Sequence, residues 1–289
     1  MKVTILPLPK RLSRAKAFGF CGGNAVGEGE SRGPGVPHWW PGGKAEALTH
    51  PTQKRLSARM ATGDVIPGFW TRSSGGFGGA VGWRLVNGAL EAVELEQGKG
   101  WESTIAMGAG GGAFAGSGER KTKKGERSVD VALFWRPDGS LVELPPAEPG
   151  SEAAATATDG EWVVGHAGRT GGQRAALWPA DGSRLVLLGD DRSLSEASAV
   201  GDGEQVGLRW TRQGSVAALW RGSAASFVDL HAFVPAPWNA SSAAAVEVRD
   251  GVLRIVGTVT QFAATDELTP RESQYLVATQ PALWETPLD

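Results

Sequence analysis

Charged residues recur at one position of a repeated segment, and together they could bind a polar ligand or transfer protons. Six segments rich in small residues begin SRAKAF, KRLSAR, WESTIA, SEAAAT, SEASAV and SSAAAV. Their second residues are Arg14, Arg55, Glu102, Glu152, Glu196 and Ser242. If the six segments line one channel, two neighbouring arginines face three neighbouring glutamates at its mouth. Neighbouring like charges can make a carboxyl group a general acid or base.

Two interpretations of this ring of charges stay open. In the first, the charges compensate one another and fill a wet channel. In the second, the ring is a polar site in which Arg14, Arg55 and Glu102 bind a ligand. Glu152 and Glu196 are then the catalytic candidates.

Histidines add two further catalytic candidates. His166 and His231 fall near segments predicted to be loops, and histidine titrates near neutral pH. The alternative for each is an ordinary loop residue. The chain has no His-x-His or His-x-x-x-His pair, so no histidine metal site is predicted. No cofactor is predicted, and a metal ion bound in the channel is the one exception left open.

Four tryptophans lie in or near predicted loops and are ligand-binding candidates: Trp70, Trp101, Trp210 and Trp238. An exposed indole ring beside an arginine such as Arg169 could stack on a planar or sugar-like ligand. Anchoring of the loops is the alternative role for these rings.

Three other features are predicted to serve no chemistry. Cys21 lies among small residues without a paired histidine, so it is predicted to be packed rather than nucleophilic. GAGGGAFAG at 108–116 lacks the Lys-Ser/Thr of a phosphate loop and is predicted to be a strand and a turn. RKTKKGER at 120–127 is predicted to be a solvated loop.

The elements that must position these residues come from an internal repeat with two anchors. The first anchor is a glycine in an extended segment, found at Gly27, Gly68, Gly116, Gly165, Gly207 and Gly257. The second is a tryptophan that ends an apolar strand, found at Trp40, Trp83, Trp135, Trp178, Trp220 and Trp284. Each glycine precedes one tryptophan, and the glycine spacing runs from 41 residues (Gly27 to Gly68) to 50 (Gly207 to Gly257). The six tryptophans are predicted to be core.

One full unit, residues 151–188, is predicted to contain four strands, with Asp-Gly turns before the second and the fourth. Four antiparallel strands in about 45 residues is the size of a propeller blade. The sequence therefore predicts an all-β, six-bladed β-propeller with four antiparallel strands per blade. Residues 3–8, VTILPL, are predicted to supply the fourth strand of the last blade, which removes exposed sheet edges. One domain, 1–289, is predicted to hold the repeats 9–50, 51–97, 98–146, 147–190, 191–232 and 233–289.

The repeat resembles a bacterial family of HAF-type repeats. The residues that carry the resemblance are GEWVVGHAGRTGGQRAALWPADG at 160–182 and GEQVGLRWTRQGSVAALW at 203–220. The family's His-Ala-Phe triplet is replaced here by RAAL, VALF and VAAL, and the literal HAF at 231–233 is predicted to lie in a loop outside the register. The resemblance implies a propeller-like fold and no activity.

In such a fold the loops between the second and third strands share one face with the connections between blades. Ligands usually bind on loops held by a rigid scaffold. The six loops are predicted at 28–38, 69–80, 117–130, 166–174, 209–215 and 258–274. They are longer and more varied than the Asp-Gly turns of the opposite face, so this loop face is the predicted functional face.

Composition narrows the class of partner. The formal net charge is −2, which does not favour nucleic acid or an anionic membrane, and the single cysteine excludes an intrachain disulfide. No secretory signal and no transmembrane run is found, so a cytoplasmic monomer is expected.

The expected function is binding of a small molecule, glycan or protein at the loop face. A small-molecule lyase, hydrolase or cyclase and a non-catalytic interaction scaffold are the alternatives.

Overall fold

The computed structural model describes residues 14–30, 36–41, 44, 46–53, 55–74, 76–120, 128–169, 171–190, 193–212, 214–264 and 274–287. These residues form an all-β fold with no α-helix, and their only helical turns are short 3₁₀ segments. Sheet 1 contains β1 (Arg14–Cys21), β2 (Asn24–Glu30), β3 (Val36–Trp39) and β4 (Glu46–Ala47). Sheet 2 contains β5 (Leu56–Ala58), β6 (Val65–Thr71), β7 (Phe77–Val86) and β8 (Ala89–Val93). Sheet 3 contains β9 (Trp101–Gly110), β10 (Ala113–Arg120), β11 (Asp130–Trp135) and β12 (Leu141–Glu143).

The second half of the chain repeats this pattern. Sheet 4 contains β13 (Glu152–Thr158), β14 (Trp162–Gly168), β15 (Arg174–Pro179) and β16 (Val186–Leu187). Sheet 5 contains β17 (Ser195–Gly201), β18 (Glu204–Thr211), β19 (Gly214–Trp220) and β20 (Val228–Asp229). Sheet 6 contains β21 (Ala240–Arg249), β22 (Val252–Ala264) and β23 (Gln274–Pro287). The strand predicted at residues 3–8 lies outside the described residues.

A close approach of the first strand of the same sheet explains four of the six anchor glycines, Gly68, Gly116, Gly207 and Gly257. A Cβ atom built on Gly207 would lie 2.0 Å from the carbonyl oxygen of Glu196, and one on Gly257 would lie 2.0 Å from that of Ser242. The register of β17 on β18 shifts beside Gly207, where one extra residue in the first strand forms a bulge. Only a residue without a side chain tolerates a backbone this close, so the glycine is required by packing.

Five of the six anchor tryptophans are buried in the core, as predicted, and the sixth packs against it. Trp40, Trp83, Trp135, Trp178 and Trp220 are at most 3% exposed. Trp284 is half-buried. Several indole nitrogens also donate to the connection that precedes their sheet: Trp83 Nε1 to the Thr49 carbonyl (2.7 Å), Trp135 Nε1 to that of Glu96 (2.8 Å) and Trp284 Nε1 to that of Leu230 (3.1 Å). Each such tryptophan thus fastens its sheet to the preceding connection while burying a large apolar ring.

Tight hairpins join the first and second strands. Asp202 and Gly203 have φ values of 53° and 81°, and Asp250 and Gly251 have 54° and 70°. Paired positive φ values define the turn whose twist matches that of the strands, and Asp-Gly is a favoured sequence for it. The predicted glycine-rich segment 108–116 likewise forms the end of β9, a turn and β10.

The chain divides into two compact units, each with its own core. Unit 1 comprises residues 1–145, 153–163 and 180–183, and unit 2 comprises residues 146–152, 164–179 and 184–289. In unit 1, apolar side chains of sheet 1 pack on those of sheet 2, and others of sheet 2 pack on those of sheet 3. In unit 2, side chains of sheet 5 pack on those of sheet 6. Sheet 4 contributes residues to both units.

The six predicted loops are all shorter than expected, because the strands on both sides run into them, and one of the six is wrong as a loop. Residues 209–215 were expected to form a long connection, but β18 continues to Thr211 and β19 begins at Gly214. Backbone pairing persists through Trp210 with Ser215 and Thr211 with Gly214. The polar composition of the segment reflects exposure of a hairpin end rather than a loop.

Candidate functional site

Hydroxyl side chains near the start of several first strands organise one end of the sheets. Ser195 Oγ accepts the backbone N–H of Ala175 at 2.9 Å, and Ser241 Oγ accepts that of Ala217 at 2.9 Å. In unit 1, Thr104 Oγ1 accepts from a backbone N–H of β7 at 2.8 Å. In each case the first strand of one sheet is bonded to the third strand of the sheet before it. This end carries the connections between sheets and the loops between second and third strands, because successive strands are antiparallel.

A cavity of about 290 Å³ opens at this end in unit 2. It is lined by Ala147, Glu148, Ser151, Gly168, Arg169, Gly171, Gly172, Arg174, Ser193 and Leu194. These residues come from three stretches: the connection before β13, the loop between β14 and β15, and the connection before β17. The cavity therefore lies on the predicted functional face, near the lower end of the ~300–1,000 Å³ range of small-molecule sites.

Two short turns contribute to the lining of the cavity. In the first, the Ser151 N–H donates to the Glu148 carbonyl at 3.0 Å, and the Ser151 hydroxyl bonds both the Glu148 N–H and the Glu148 carbonyl. In the second, the Gly172 N–H donates to the Arg169 carbonyl at 2.8 Å. An ion pair of 2.9 Å between Arg169 Nη2 and Glu148 Oε2 joins the two turns. Both partners are largely exposed, so the pair lies at the rim.

The third wall is held by backbone bonds of the connection before β17. Trp210 donates its N–H to the Leu194 carbonyl at 2.8 Å, and the Ser195 N–H donates to the Gln173 carbonyl at 3.1 Å. Ser193 Oγ donates to Asp190 Oδ1 at 2.8 Å. The cavity thus has walls fixed by hydrogen bonds on three sides, with guanidinium, carboxylate and hydroxyl groups among its lining residues.

Sequence reasoning found part of this site. Arg169 was predicted and lines the cavity, and Arg174 falls within the predicted loop 166–174. Glu148, Ser151 and Ser193 were missed as individual residues. The sequence could have indicated these three residues through their position in the connections between sheets, because those connections were predicted to lie on the functional face.

The predicted ring residues occupy similar places near the start of each sheet. Glu152 begins β13 and Glu196 is the second residue of β17, and both are half-buried. Each follows a cavity-lining stretch along the chain, but neither is a lining residue. Ser242 is half-buried in β21. A convergence of these side chains on a channel stays a prediction.

In unit 1, one of the predicted charges, Arg55, is bonded to backbone carbonyls. Arg55 is exposed and donates through Nη1 to the carbonyls of Arg72 (3.2 Å) and Ser73 (3.1 Å). Arg72 in turn donates to the carbonyl of Glu102, whose side chain is exposed. Arg14 begins β1, and its side chain lies outside the described residues.

The two candidate histidines differ in their surroundings. His231 is the second residue of a 3₁₀ turn (Leu230–Phe233) that is capped by Asp229. Its Nδ1 lies 2.8 Å from Ser241 Oγ, the hydroxyl that bonds Ala217. A positioning role for His231 accounts for these contacts. His166 lies in β14, two residues before the cavity-lining Gly168, and its buried Nδ1 has no hydrogen-bond partner among the described residues.

The four candidate tryptophans differ in how far their rings are exposed. Trp101 is only 8% exposed, with the Arg120 guanidinium 4.7 Å from its ring, so the expected exposed platform is wrong for this residue. Trp70 and Trp238 are half-buried. Trp210 is 43% exposed and remains the open candidate for stacking.

Cys21 is fully buried, as predicted, and burial raises the pKa of its thiol to about 11, with a smaller contribution from Asp64. It is therefore a packed thiol rather than a nucleophile.

Within the described part of the chain, no group of three or more His, Cys, Asp or Glu side chains could hold a metal ion. No helix among the described residues is both long and apolar enough to cross a membrane. The charge run at 121–127 lies outside the described residues.

Comparison with known proteins supports the fold and no activity. No protein-family model matches the chain, and no curated protein sequence matches it. The chain is similar to a prolyl endopeptidase structure, with a TM-score of 0.52, 11% identity and coverage of 87% of this chain but 41% of that one. It is also similar to a structure assigned as TolB from Agrobacterium tumefaciens (TM-score 0.49, 13% identity, 75% of this chain and 79% of that one). TolB from Acinetobacter baumannii gives a TM-score of 0.43 at 11% identity, over 71% of this chain and 50% of that one. The fold is thus an all-β fold of the β-propeller type.

Proposed function

We propose that the chain is a single six-bladed β-propeller, closed by residues 3–8, that binds a small molecule at its loop face. The six described sheets follow one another along the chain, and the anchor glycines and tryptophans recur in them. Sheet 6 has three described strands, so one further strand completes the pattern of the other five. Deleting residues 3–8 should lower the thermal midpoint by several degrees, because it removes that strand and exposes an edge. An unchanged midpoint would refute closure by this segment.

The observation that carries the binding proposal is the cavity of about 290 Å³ between the two turns of unit 2. It combines a defined volume, hydrogen-bonded walls and both signs of charge. Binding sites of propellers and other rigid scaffolds lie on such loops, where the sheets hold the polar groups in place. A flat scaffold surface for protein partners would not require a recess of this kind.

A ligand screen tests the proposal directly. Thermal-shift screening against sugars, amino acids, organic acids, nucleotides and metal ions should find compounds that raise the midpoint, because a ligand that binds only the folded state stabilises it. Arg169→Gln should abolish the shift, whereas Arg184→Gln should not, since Arg184 is exposed and lies outside the cavity lining. A complete screen without a hit, or hits unaffected by Arg169→Gln, would refute binding at this cavity.

We also propose that the chain is a cytoplasmic monomer without a nucleic-acid or membrane partner. The net charge of −2 argues against a nucleic-acid or an anionic membrane partner. Light scattering on the purified chain and fractionation of the producing cells test the two statements. A dimeric mass or a membrane-bound fraction would overturn the corresponding one.

Catalysis at the same face is the second candidate function. The favouring observation is the buried Nδ1 of His166, since an unpartnered buried polar atom is rare in a folded protein. A lyase, hydrolase or cyclase could use His166 as general base with Glu152 or Glu196. His166→Gln should then abolish turnover of a ligand found by the screen while leaving its binding intact. Turnover that is unchanged in this variant would refute the catalytic role.

A further inference from the structure

A two-residue turn joins β7 to β8 and contains the one Asn-Gly pair of the chain. Val86 pairs with Ala89, so Asn87 and Gly88 alone form the turn. Their φ values are 50° and 81°, the paired positive values of a tight hairpin in which Asn-Gly is favoured. Both residues are exposed. The pair thus serves the hairpin, and it also places a side-chain amide next to a peptide nitrogen at the surface.

The polar groups of this turn are open to reaction with each other. Among the described residues, none is hydrogen-bonded to the Asn87 side chain, and none accepts the Gly88 N–H. A Cβ atom built on Gly88 would meet no atom within 4 Å, so no neighbouring segment covers this side of the turn. Glycine also has no side chain of its own to hinder its nitrogen. The nitrogen of Gly88 can therefore reach the amide carbon of Asn87 when the turn flexes.

From these observations we propose that Asn87 is a site of spontaneous covalent modification, at which the Gly88 nitrogen displaces the side-chain amide. A bond forms between that nitrogen and the side-chain carbonyl carbon, the bond from this carbon to the amide nitrogen breaks, and ammonia leaves with the Gly88 N–H proton. Water then opens the cyclic imide at the side-chain carbonyl to give aspartate, or at the main-chain carbonyl to give isoaspartate. The net change takes up water and releases ammonia, without any oxidant or reductant. The proposal does not depend on the proposed binding function.

The other two asparagines of the chain provide an internal comparison. Asn24 Nδ2 donates to the Gly22 carbonyl at 3.0 Å. Asn239 Nδ2 donates to the Phe262 carbonyl at 2.7 Å, and its Oδ1 accepts the Phe262 N–H at 2.9 Å. Both asparagines are followed by alanine, whose Cβ crowds the attacking nitrogen. Because their amides must first be released, these two residues should react far more slowly than Asn87.

The two products should affect the hairpin differently. Aspartate fits the turn, since Asp202 and Asp250 begin tight turns at φ values of 53° and 54° in this protein. Isoaspartate adds a methylene group to the main chain within a two-residue turn, so the pairing of β8 with β7 cannot be kept. Leu90 and Ala92 of β8 pack against the apolar core of sheets 1 and 2. Isoaspartate at position 87 should therefore loosen β8 and destabilise the protein, whereas aspartate should not.

Peptide mapping by mass spectrometry, after storage of the full chain at mildly alkaline pH, tests the proposal. Asn87 should convert to two products of equal mass, whereas Asn24 and Asn239 should remain asparagine. An isoaspartyl methyltransferase with labelled S-adenosylmethionine should label one of the two products. The thermal midpoint of the stored chain should fall by a few degrees as isoaspartate accumulates. Asn87→Gly is the matched control, because Gly-Gly suits the same turn and has no amide to lose, and its midpoint should not change on storage.

Three results would overturn the proposal or its parts. If Asn87 stays intact in the native chain while the urea-unfolded chain reacts there under the same conditions, the turn protects the residue and the proposal fails. Equal conversion of all three asparagines would also overturn it, because the open turn would then confer no reactivity. Freshly prepared Asn87→Asp should have the midpoint of the parent chain. A midpoint as low as that of the stored chain would refute the assignment of the lost stability to isoaspartate.

Discussion

Replacement of Gly207 by alanine is expected to destabilise the protein, because the first strand of sheet 5 leaves no room for a methyl group. The added Cβ would lie 2.0 Å from the Glu196 carbonyl oxygen and 2.8 Å from Ala197 Cα. Both neighbours are backbone atoms in a strand that pairs along β18. They cannot rotate away as a side-chain end would, so β17 or β18 must shift by about 1 Å.

Two opposing effects set the size of the change in unfolding free energy. Overpacking of a well-packed interior costs about 1–3 kcal/mol of unfolding free energy. A glycine-to-alanine change also reduces the entropy of the unfolded chain, which stabilises a compatible site by about 0.4–1 kcal/mol. Because the shift involves paired backbone, the steric cost prevails, and we expect a net loss of about 1–2 kcal/mol.

Urea denaturation followed by tryptophan fluorescence measures this loss, with Gly172→Ala as the matched control. A Cβ on Gly172 would meet only the Arg169 carbonyl, at an ordinary contact distance of 3.6 Å. The control should therefore change the unfolding free energy by less than about 0.5 kcal/mol. If Gly207→Ala is as stable as the control, the close approach of the Glu196 carbonyl is not a real constraint, and the explanation of the anchor glycines fails.

The remaining predictions concern three polar side chains. Ser195→Ala should cost about 1–3 kcal/mol by denaturation, because the buried N–H of Ala175 loses its acceptor; a neutral effect would contradict the bond between the sheets. His231→Gln should retain more stability than His231→Ala, since an amide can still bond Ser241; equal losses would show that the 2.8 Å contact contributes nothing. The raised pKa of the Cys21 thiol predicts that the free energy of unfolding falls at alkaline pH. The thiol of the unfolded chain ionises above pH 9.0, whereas the thiol of the native protein stays protonated until the pH reaches about 11. Stability that is present below pH 9.0 should therefore be lost as the pH rises toward about 11. In Cys21→Ala this component of the pH dependence should vanish, and an identical pH profile in both proteins would argue against burial of the thiol.

Local chemistry made much of the fold predictable. The Asp-Gly pairs at 202–203 and 250–251 indicated tight hairpins because aspartate and glycine accept positive φ, and the structure has those values there. The apolar strands ending in Trp135 and Trp178 indicated buried sheet faces, and both rings are fully buried. The segment 209–215 misled because polar residues at a hairpin end resemble a loop.

The candidate site was predictable only in outline. Arg169 was found because it lies in the segment 166–174, which was predicted to be a loop of the functional face and differs in composition from the other copies. The exposure expected for Trp101 was wrong because Arg120, some 20 residues further along the chain, covers its ring. No local pattern reports such a contact between distant residues.

The sequence by itself determined the repeat, the positions of the turns and the residues of the core, since each depends on residue type and near neighbours. Only the tertiary structure decided where the cavity lies, because Glu148 and Arg169 approach to 2.9 Å across 21 residues. It also decided why the anchor glycines are glycines. The carbonyl of Glu196 reaches Gly207 only once the two strands pair with a bulge, so the reason for the residue lies in the packed backbone.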